Sequence, residues 1–276
     1  MQSGAYPAMS WDEYQSVKCL SSTMVSTRHR LTWRHAQTEK PDSPEFLLGR
    51  AVHAFILQQE LFAKMFMLMP GVEGITTKDG KVPSAPKMTS QYKERVEQAR
   101  ADNPDAELLE PEDMKRITTM GQNVRDKCAS LLDGVQPEFS IFFSINGVEC
   151  KSRLDGIDAK NGRIVEIKTS YNVEPRAFAY DARKWGYGIQ MAWQGLAVSS
   201  ALKWTPTEYI IIAVESQPPH GVTIHRLSNA WISEMEIACL NYIDEFAKHC
   251  QHAVVWPEFD AGINVIDFST GDTDNE

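Results

Sequence analysis

Apolar and polar positions divide the chain into blocks of helical and strand periodicity. From Glu45 to Met69 apolar positions recur at three and four spacing, which puts Phe46, Gly49, His53, Ile56 and Leu57 on one side of a helix. Helical patterns recur over Ser21 to Trp33, Thr89 to Ala101, Pro111 to Leu132, Pro175 to Lys184 and Gly186 to Leu202. Asn229 is suited to cap a long helix reaching about Cys250, and Ser10 with Asp12 and Glu13 starts a short one. Between these blocks lie strand patterns: Glu138 to Ile145, a turn at Asn146-Gly147, then Val148 to Asp158. A second turn at Asn161-Gly162 leads into the β-branched run that holds Val165 to Lys168. Glu208 to Ser216 reads as a buried strand, and Val222 to Leu227 follows across a Pro-Pro-His-Gly turn. This order of helices and strands predicts an α/β fold with a mixed central β-sheet flanked by helices.

The segment from 70 to 137 reads as an insertion that opens with an exposed loop carrying Lys78, Lys81 and Lys87. The expected organisation is a single domain over 1–255 with that insertion, followed by an acidic, partly disordered tail over 256–276. A chain of 276 residues with 42% hydrophobic content can bury a substantial core. It carries no long apolar run and no signal-peptide pattern, so the expectation is a cytoplasmic protein with no membrane contact. Cys19, Cys128, Cys150, Cys239 and Cys250 are scattered with no CxxC pair, which argues against a zinc ribbon or a disulfide framework and for buried free thiols.

A net charge of −9 argues against an all-over nucleic-acid coat. It permits a locally basic channel, because acid concentrates in Asp102 to Asp113 and in the C-terminal tail, while Lys151, Arg153, Lys168, Arg183 and Lys184 gather around one stretch.

That stretch is Cys150 to Ser170. Alternation along a strand puts Glu166 and Lys168 on one face, and Lys151, Arg153 and Asp155 on one face of the strand before it. A hairpin between them would bring the Asp155 and Glu166 carboxylates together beside an ammonium. Mg²⁺ takes oxygen ligands and keeps several waters, so one or two carboxylates plus phosphate oxygens can complete its shell. A lysine nearby can orient water or offset developing charge. Glu138, at the start of the preceding strand, is a further carboxylate candidate, and Arg50 a candidate phosphate contact.

Asp155 followed by Glu166-x-Lys168 resembles the PD-(D/E)xK nuclease superfamily, whose core is restriction-endonuclease-like. With Gly49-Arg50-Ala51-Val52-His53, Glu138 and Trp185-Gly186-Tyr187-Gly188-Ile189-Gln190, the chain looks most like its RecE-type, exonuclease VIII-like phage recombination branch. The resemblance implies a Mg²⁺-dependent exonuclease, with Mn²⁺ as an alternative ion, that degrades linear double-stranded DNA from a 5′ end and leaves a 3′ single strand. It further implies metal ligation by His53, Asp155, Glu166 and the Ile167 carbonyl, with Lys168 positioning the attacking water. Arg50, Lys151, Arg153, Arg183, Tyr187 and Gln190 would contact DNA. A homo-oligomeric ring, a single-strand annealing protein as partner, and a bacterial host cytoplasm follow from the same resemblance. The family often has Gln-x-x-x-Tyr where this chain has Gln190 and Gln194. A structure-specific or site-specific endonuclease is the alternative reading, and a non-catalytic DNA-binding relic a further one. An iron–sulfur nuclease would need four cysteines in a recognisable pattern that this chain does not have.

Overall fold

The computed structural model describes residues 2–7, 9–38, 43–252, 256 and 259. The tail expected over 256–276 therefore lies outside the described residues, apart from 256 and 259. The chain opens with β1 (Gly4–Tyr6), α1 (Trp11–Ser16), β2 (Leu20–Ser21), α2 (Ser22–Arg30), α3 (Trp33–Gln37), α4 (Pro44–Leu57) and α5 (Gln59–Met65). It continues through β3 (Phe66–Leu68), α6 (Ser90–Asp102), β4 (Glu107–Leu109) and α7 (Pro111–Leu132). The central hairpins and their flanking helices follow as β5 (Gln136–Ile145), β6 (Val148–Asp158), β7 (Arg163–Ser170), α8 (Pro175–Lys184) and α9 (Tyr187–Leu202). The chain then runs through β8 (Glu208–Glu215), β9 (Val222–Arg226) and α10 (Asn229–His252).

Helix starts follow local chemistry. Ser10 and Glu13 exchange side-chain and backbone hydrogen bonds as a capping box before α1. Ser21, Thr32, Ser43 and Thr89 cap α2, α3, α4 and α6. Proline occupies the first turn of α4, α7 and α8, where a missing N–H costs nothing.

One mixed sheet organises the molecule, in the order β1-β5-β6-β7-β8-β9 with β2 pairing β6 beside it. β5 and β6 run antiparallel through the Asn146-Gly147 turn, and β7 and β8 run parallel from Arg163/Glu208 to Ser170/Glu215. β6 meets β7 at Gly156/Val165, Ile157/Ile164 and Asp158/Arg163, while nearer its start Cys150 and Lys151 pair with Leu20 and Ser21 of β2. β6 and β7 thus diverge beyond Gly156 and Val165, and the sheet forks there.

Helices cover both faces. Phe139, Ile141, Phe143, Leu154, Ile164 and Ile211 pack with Ile189 and Trp193 of α9, Trp33 of α3 and Ile243 of α10. Val165, Ile167, Ile210 and Ile212 pack on the other side with Ala51 and Val52 of α4 and Ile117, Met120 and Val124 of α7. Burial of these apolar side chains, at roughly 1.5–3 kcal/mol each, is the main force holding the layers together. Among the described residues no helix is long and apolar enough to cross a membrane.

Three features depart from the sequence reading. The helix expected from Glu45 to Met69 breaks at Gln58, whose φ of −143° and ψ of 63° leave the helical region, and β3 follows because Met67 pairs with Leu108 of β4. Phe46 is 52% exposed, so the packed face of α4 is Leu48, Ala51, Val52 and Ile56 instead. The helix α7, expected within the insertion, belongs to the second core.

Candidate active site

The fork between β6 and β7 is where the chemistry collects. Leu154 and Ile157 face the same core although they are three residues apart, so the alternation of β6 breaks between them and frees Asp155 from the regular ladder. Asp155 Oδ2 accepts a hydrogen bond from the Ile167 amide at 2.8 Å and lies 3.4 Å from His53 Nδ1 on α4. Across β5, Pro137 pairs with Gly156 and Phe139 with Leu154, and the position between them, Glu138 opposite Asp155, is left out of the ladder. Glu138 has a φ of 52°, a left-handed conformation uncommon outside glycine. Ligand atoms of His53, Glu138 and Asp155 all lie within 4.8 Å of one another.

Glu166 comes from the next strand and turns to the α9 side. Its Oε1 accepts from Lys168 Nζ at 2.6 Å and from Gln190 Nε2, and its Oε2 accepts from Gln194 Nε2 at 2.8 Å. Lys168 Nζ also donates to Gln190 Oε1 at 3.0 Å and sits 5.0 Å from the centre of the Tyr187 ring. Gln194 is fully buried, and its Oε1 has no hydrogen-bond partner among the described residues.

The electrostatics are unbalanced in a specific direction. Burial and the charge of Asp155 push the Glu166 carboxyl above the usual carboxylate range despite Lys168 and Gln194. Burial and Asp155 do the same to Glu138 despite Arg153. Burial opposes the Asp155 charge, but His53, Lys168 and the Ile167 amide outweigh it and hold that carboxyl low. His53 and Lys168 are both raised, because the neighbouring carboxylates outweigh their burial. Like charge at Asp155 and burial thus both disfavour ionised Glu138 and Glu166. An imidazole nitrogen with two carboxylates in mutual reach fits a hard or borderline divalent ion such as Mg²⁺ or Mn²⁺.

Residues 16–266 match the family described as a PDDEXK-like domain of unknown function (DUF3799). The chain belongs to that family. A candidate exonuclease from Eubacterium rectale is similar over 96% of this chain and 99% of its own, with a TM-score of 0.53 at 14% identity, which shows a shared fold. A phage-related exonuclease from Haemophilus somnus 129PT aligns over 65% of this chain and 92% of its own at 16% identity, with a TM-score of 0.29 too low to argue from. No curated protein matches the sequence. Family and constellation together support a nuclease.

In this PDDEXK-like domain the residues expected to contact DNA have separate fates. Arg183 is exposed on α8, and Tyr187 and Gln190 line the Lys168 side of the site. Arg50 Nη2 reaches Glu107 of β4 at 2.9 Å. Lys151 is 5% exposed, and its Nζ donates to the Tyr14 and Val17 carbonyls at 2.8 Å each, so this ammonium anchors the end of α1 to the sheet instead of facing phosphate. Arg153 is likewise turned inward, onto Glu138 at 2.7 Å. By helical spacing the sequence puts Gln194 on one stripe with Tyr187 and Gln190, an edge suited to line the site or hold backbone phosphates, and the structure makes it a hydrogen-bond donor to Glu166.

Proposed function

We propose that the protein is a Mg²⁺-dependent exonuclease that degrades linear double-stranded DNA from the 5′ end and leaves 3′ single-stranded overhangs for recombination by strand annealing. The observation that carries the reading is the meeting of Asp155, Glu166 and Lys168 at the β6–β7 fork, with His53 and Glu138 beside them. The exonucleolytic mode is favoured by the description of the Eubacterium rectale relative. Strand polarity, an annealing partner and a ring-shaped homo-oligomer rest on the resemblance to RecE-type enzymes.

His53, Glu138 and Asp155 would hold the cation, and Glu166 and the Ile167 carbonyl complete the proposed set. A divalent ion held there would polarise the scissile phosphate and lower the pKa of a water molecule. The Ile167 carbonyl faces the fork, because N–H and C=O of one strand residue project to the same edge and its N–H bonds Asp155. Lys168, kept protonated by Glu166 and Asp155, donates toward the charge that grows on the phosphate and does not act as a base. Gln190 and Gln194 fix the Glu166 carboxylate, and Gln190 also bonds the Lys168 ammonium.

The test is digestion of end-labelled linear duplex and of a closed circle, with Mg²⁺ or EDTA, by the wild type and Lys168→Ala. Metal-dependent loss from 5′ ends with circles spared, abolished by the substitution, is the expected result. Nicked circles would replace the reading with the endonuclease alternative, and activity indifferent to Lys168 would move the site elsewhere.

A further inference from the structure

Arg153 lies on the same face of β6 as Lys151 and Asp155 and is committed to internal partners. Its Nε donates to Glu138 Oε2 at 2.7 Å, and its Nη1 donates to the Met9 carbonyl at 3.0 Å and to Ser140 Oγ at 3.1 Å. The guanidinium also stands 5.8 Å from the Trp11 ring centre and 5.9 Å from that of Tyr14. The segment that carries those groups is itself anchored, because Lys151 Nζ bonds the carbonyls at both Tyr14 and Val17. Glu138, the residue so held, adopts a left-handed backbone at the position skipped by the β5–β6 ladder and turns its carboxylate toward His53 and Asp155. An uncommon backbone conformation persists where surrounding contacts over-determine it, and it concentrates at functional sites.

We propose that Arg153 is a positioning residue that holds Glu138 in its cation-facing pose, and that residues 9–17 lock that arginine in place. The N-terminal segment is thereby part of the active-site support, and Arg153 acts through Glu138 instead of through DNA. Partners of ligand carboxylates commonly set the ligand's orientation, and their loss weakens metal binding by about 10–100-fold. The proposal rests on the reading of Glu138 as a cation ligand, so its test measures the cation directly.

Free Mn²⁺ is titrated against the full-length protein by electron paramagnetic resonance, for the wild type, Arg153→Met, Ser140→Ala, Glu138→Gln and the double variant Glu138→Gln/Arg153→Met. Circular dichroism and thermal melting check folding in parallel. Arg153→Met is expected to weaken Mn²⁺ binding about 10–100-fold, and Ser140→Ala, which removes one acceptor of the arginine, to weaken it less. The decisive result is non-additivity: the double variant binds no more weakly than Glu138→Gln alone, as for two residues acting through one contact. On DNA, Arg153→Met lowers kcat with KM unchanged, whereas a phosphate contact would raise KM.

Normal Mn²⁺ binding by Arg153→Met, or losses that multiply in the double variant, would overturn the proposal. Should Arg153→Met not fold, Ser140→Ala with unchanged Mn²⁺ affinity would overturn it equally. A wild type that binds Mn²⁺ and shows the non-additive pattern but cuts no DNA would defeat the nuclease reading and leave this one standing.

Discussion

The backbone amide of Ile167 donates to Asp155 Oδ2, tying the first carboxylate of the site to the strand that carries the second. Against its burial, His53 first, then Lys168 and this amide, hold the Asp155 carboxyl low, and it stands beside His53 and Glu138, so the proposed cation site would depend on charge at Asp155. Asp155→Asn keeps an acceptor for the amide and removes the charge. Mg²⁺ or Mn²⁺ at about 100 times its dissociation constant should stabilise the wild type by about 2.7 kcal/mol. Thermal melting should show that rise, and Asp155→Asn should abolish it.

Lys168→Met removes the ammonium from Glu166, one of the proposed ligands, and leaves the trio of His53, Glu138 and Asp155 without a changed contact. The expected loss in kcat is about 10²–10³-fold, the scale for one donor that stabilises developing charge. The metal-induced melting shift should persist through the trio, and its disappearance would show that the ion depends on Glu166 as Lys168 holds it.

Gln194→Leu removes one donor to a buried carboxylate. Hydrogen bonds to charged groups are worth about 1.5–3 kcal/mol, and urea unfolding should report a loss in that range. Activity should fall with it, because Glu166 is left to Lys168 and Gln190 alone.

Thiol chemistry should sort by burial. Burial, with Cys19 and Glu149 adding, pushes Cys150 up to about 12, and burial also raises Cys128 and Cys239. Cys250 is exposed and Cys19 half-buried. Alkylation at pH 8 followed by peptide mapping should modify Cys250 first and Cys19 more slowly, and reach the other three only after unfolding. A thiol whose pKa is raised by folding binds its proton more tightly in the native state. Its contribution is complete below about pH 8.5, the unfolded value, and is lost as pH climbs toward the folded one. Urea midpoints should therefore fall between pH 8 and pH 10.

The elements that were legible are those with local punctuation. Pro111 and Pro175 mark the starts of α7 and α8, and Asn146-Gly147 marks the β5–β6 turn, so their boundaries follow from short-range chemistry. Asp155, Glu166 and Lys168 were legible because one hairpin and one strand period relate them. β1 and β2 were not, because strands this short are defined by distant partners, Phe142 and Cys150, and not by their own sequence. Lys151 and Arg153 show the same limit. Their shared face is readable from alternation, but the carbonyls of Met9, Tyr14 and Val17 that claim them lie more than a hundred residues away. Cations on a strand bounded by buried apolar residues are better read as seeking internal acceptors than as seeking phosphate.

The narrow pairing of β6 with β7 gives the sheet a mechanical seam. On one side of it stand β1, β5, β6 and β2, carrying Glu138 and Asp155, and on the other β7, β8 and β9, carrying Glu166 and Lys168. Gly156 lies on the seam, where a methyl group would meet Val135 Cγ1 at 2.4 Å, so even alanine there presses on a neighbouring side chain. Torsion about this line would change the spacing between the Glu138–Asp155 pair and the Glu166–Lys168 pair, and α9, which packs on both halves through Leu154, Ile164 and Ile211, resists it. Stiffness at Gly156, Ile157 and Asp158 therefore governs how faithfully the halves of the site stay in register, and a substitution there can impair the chemistry without touching a reacting group.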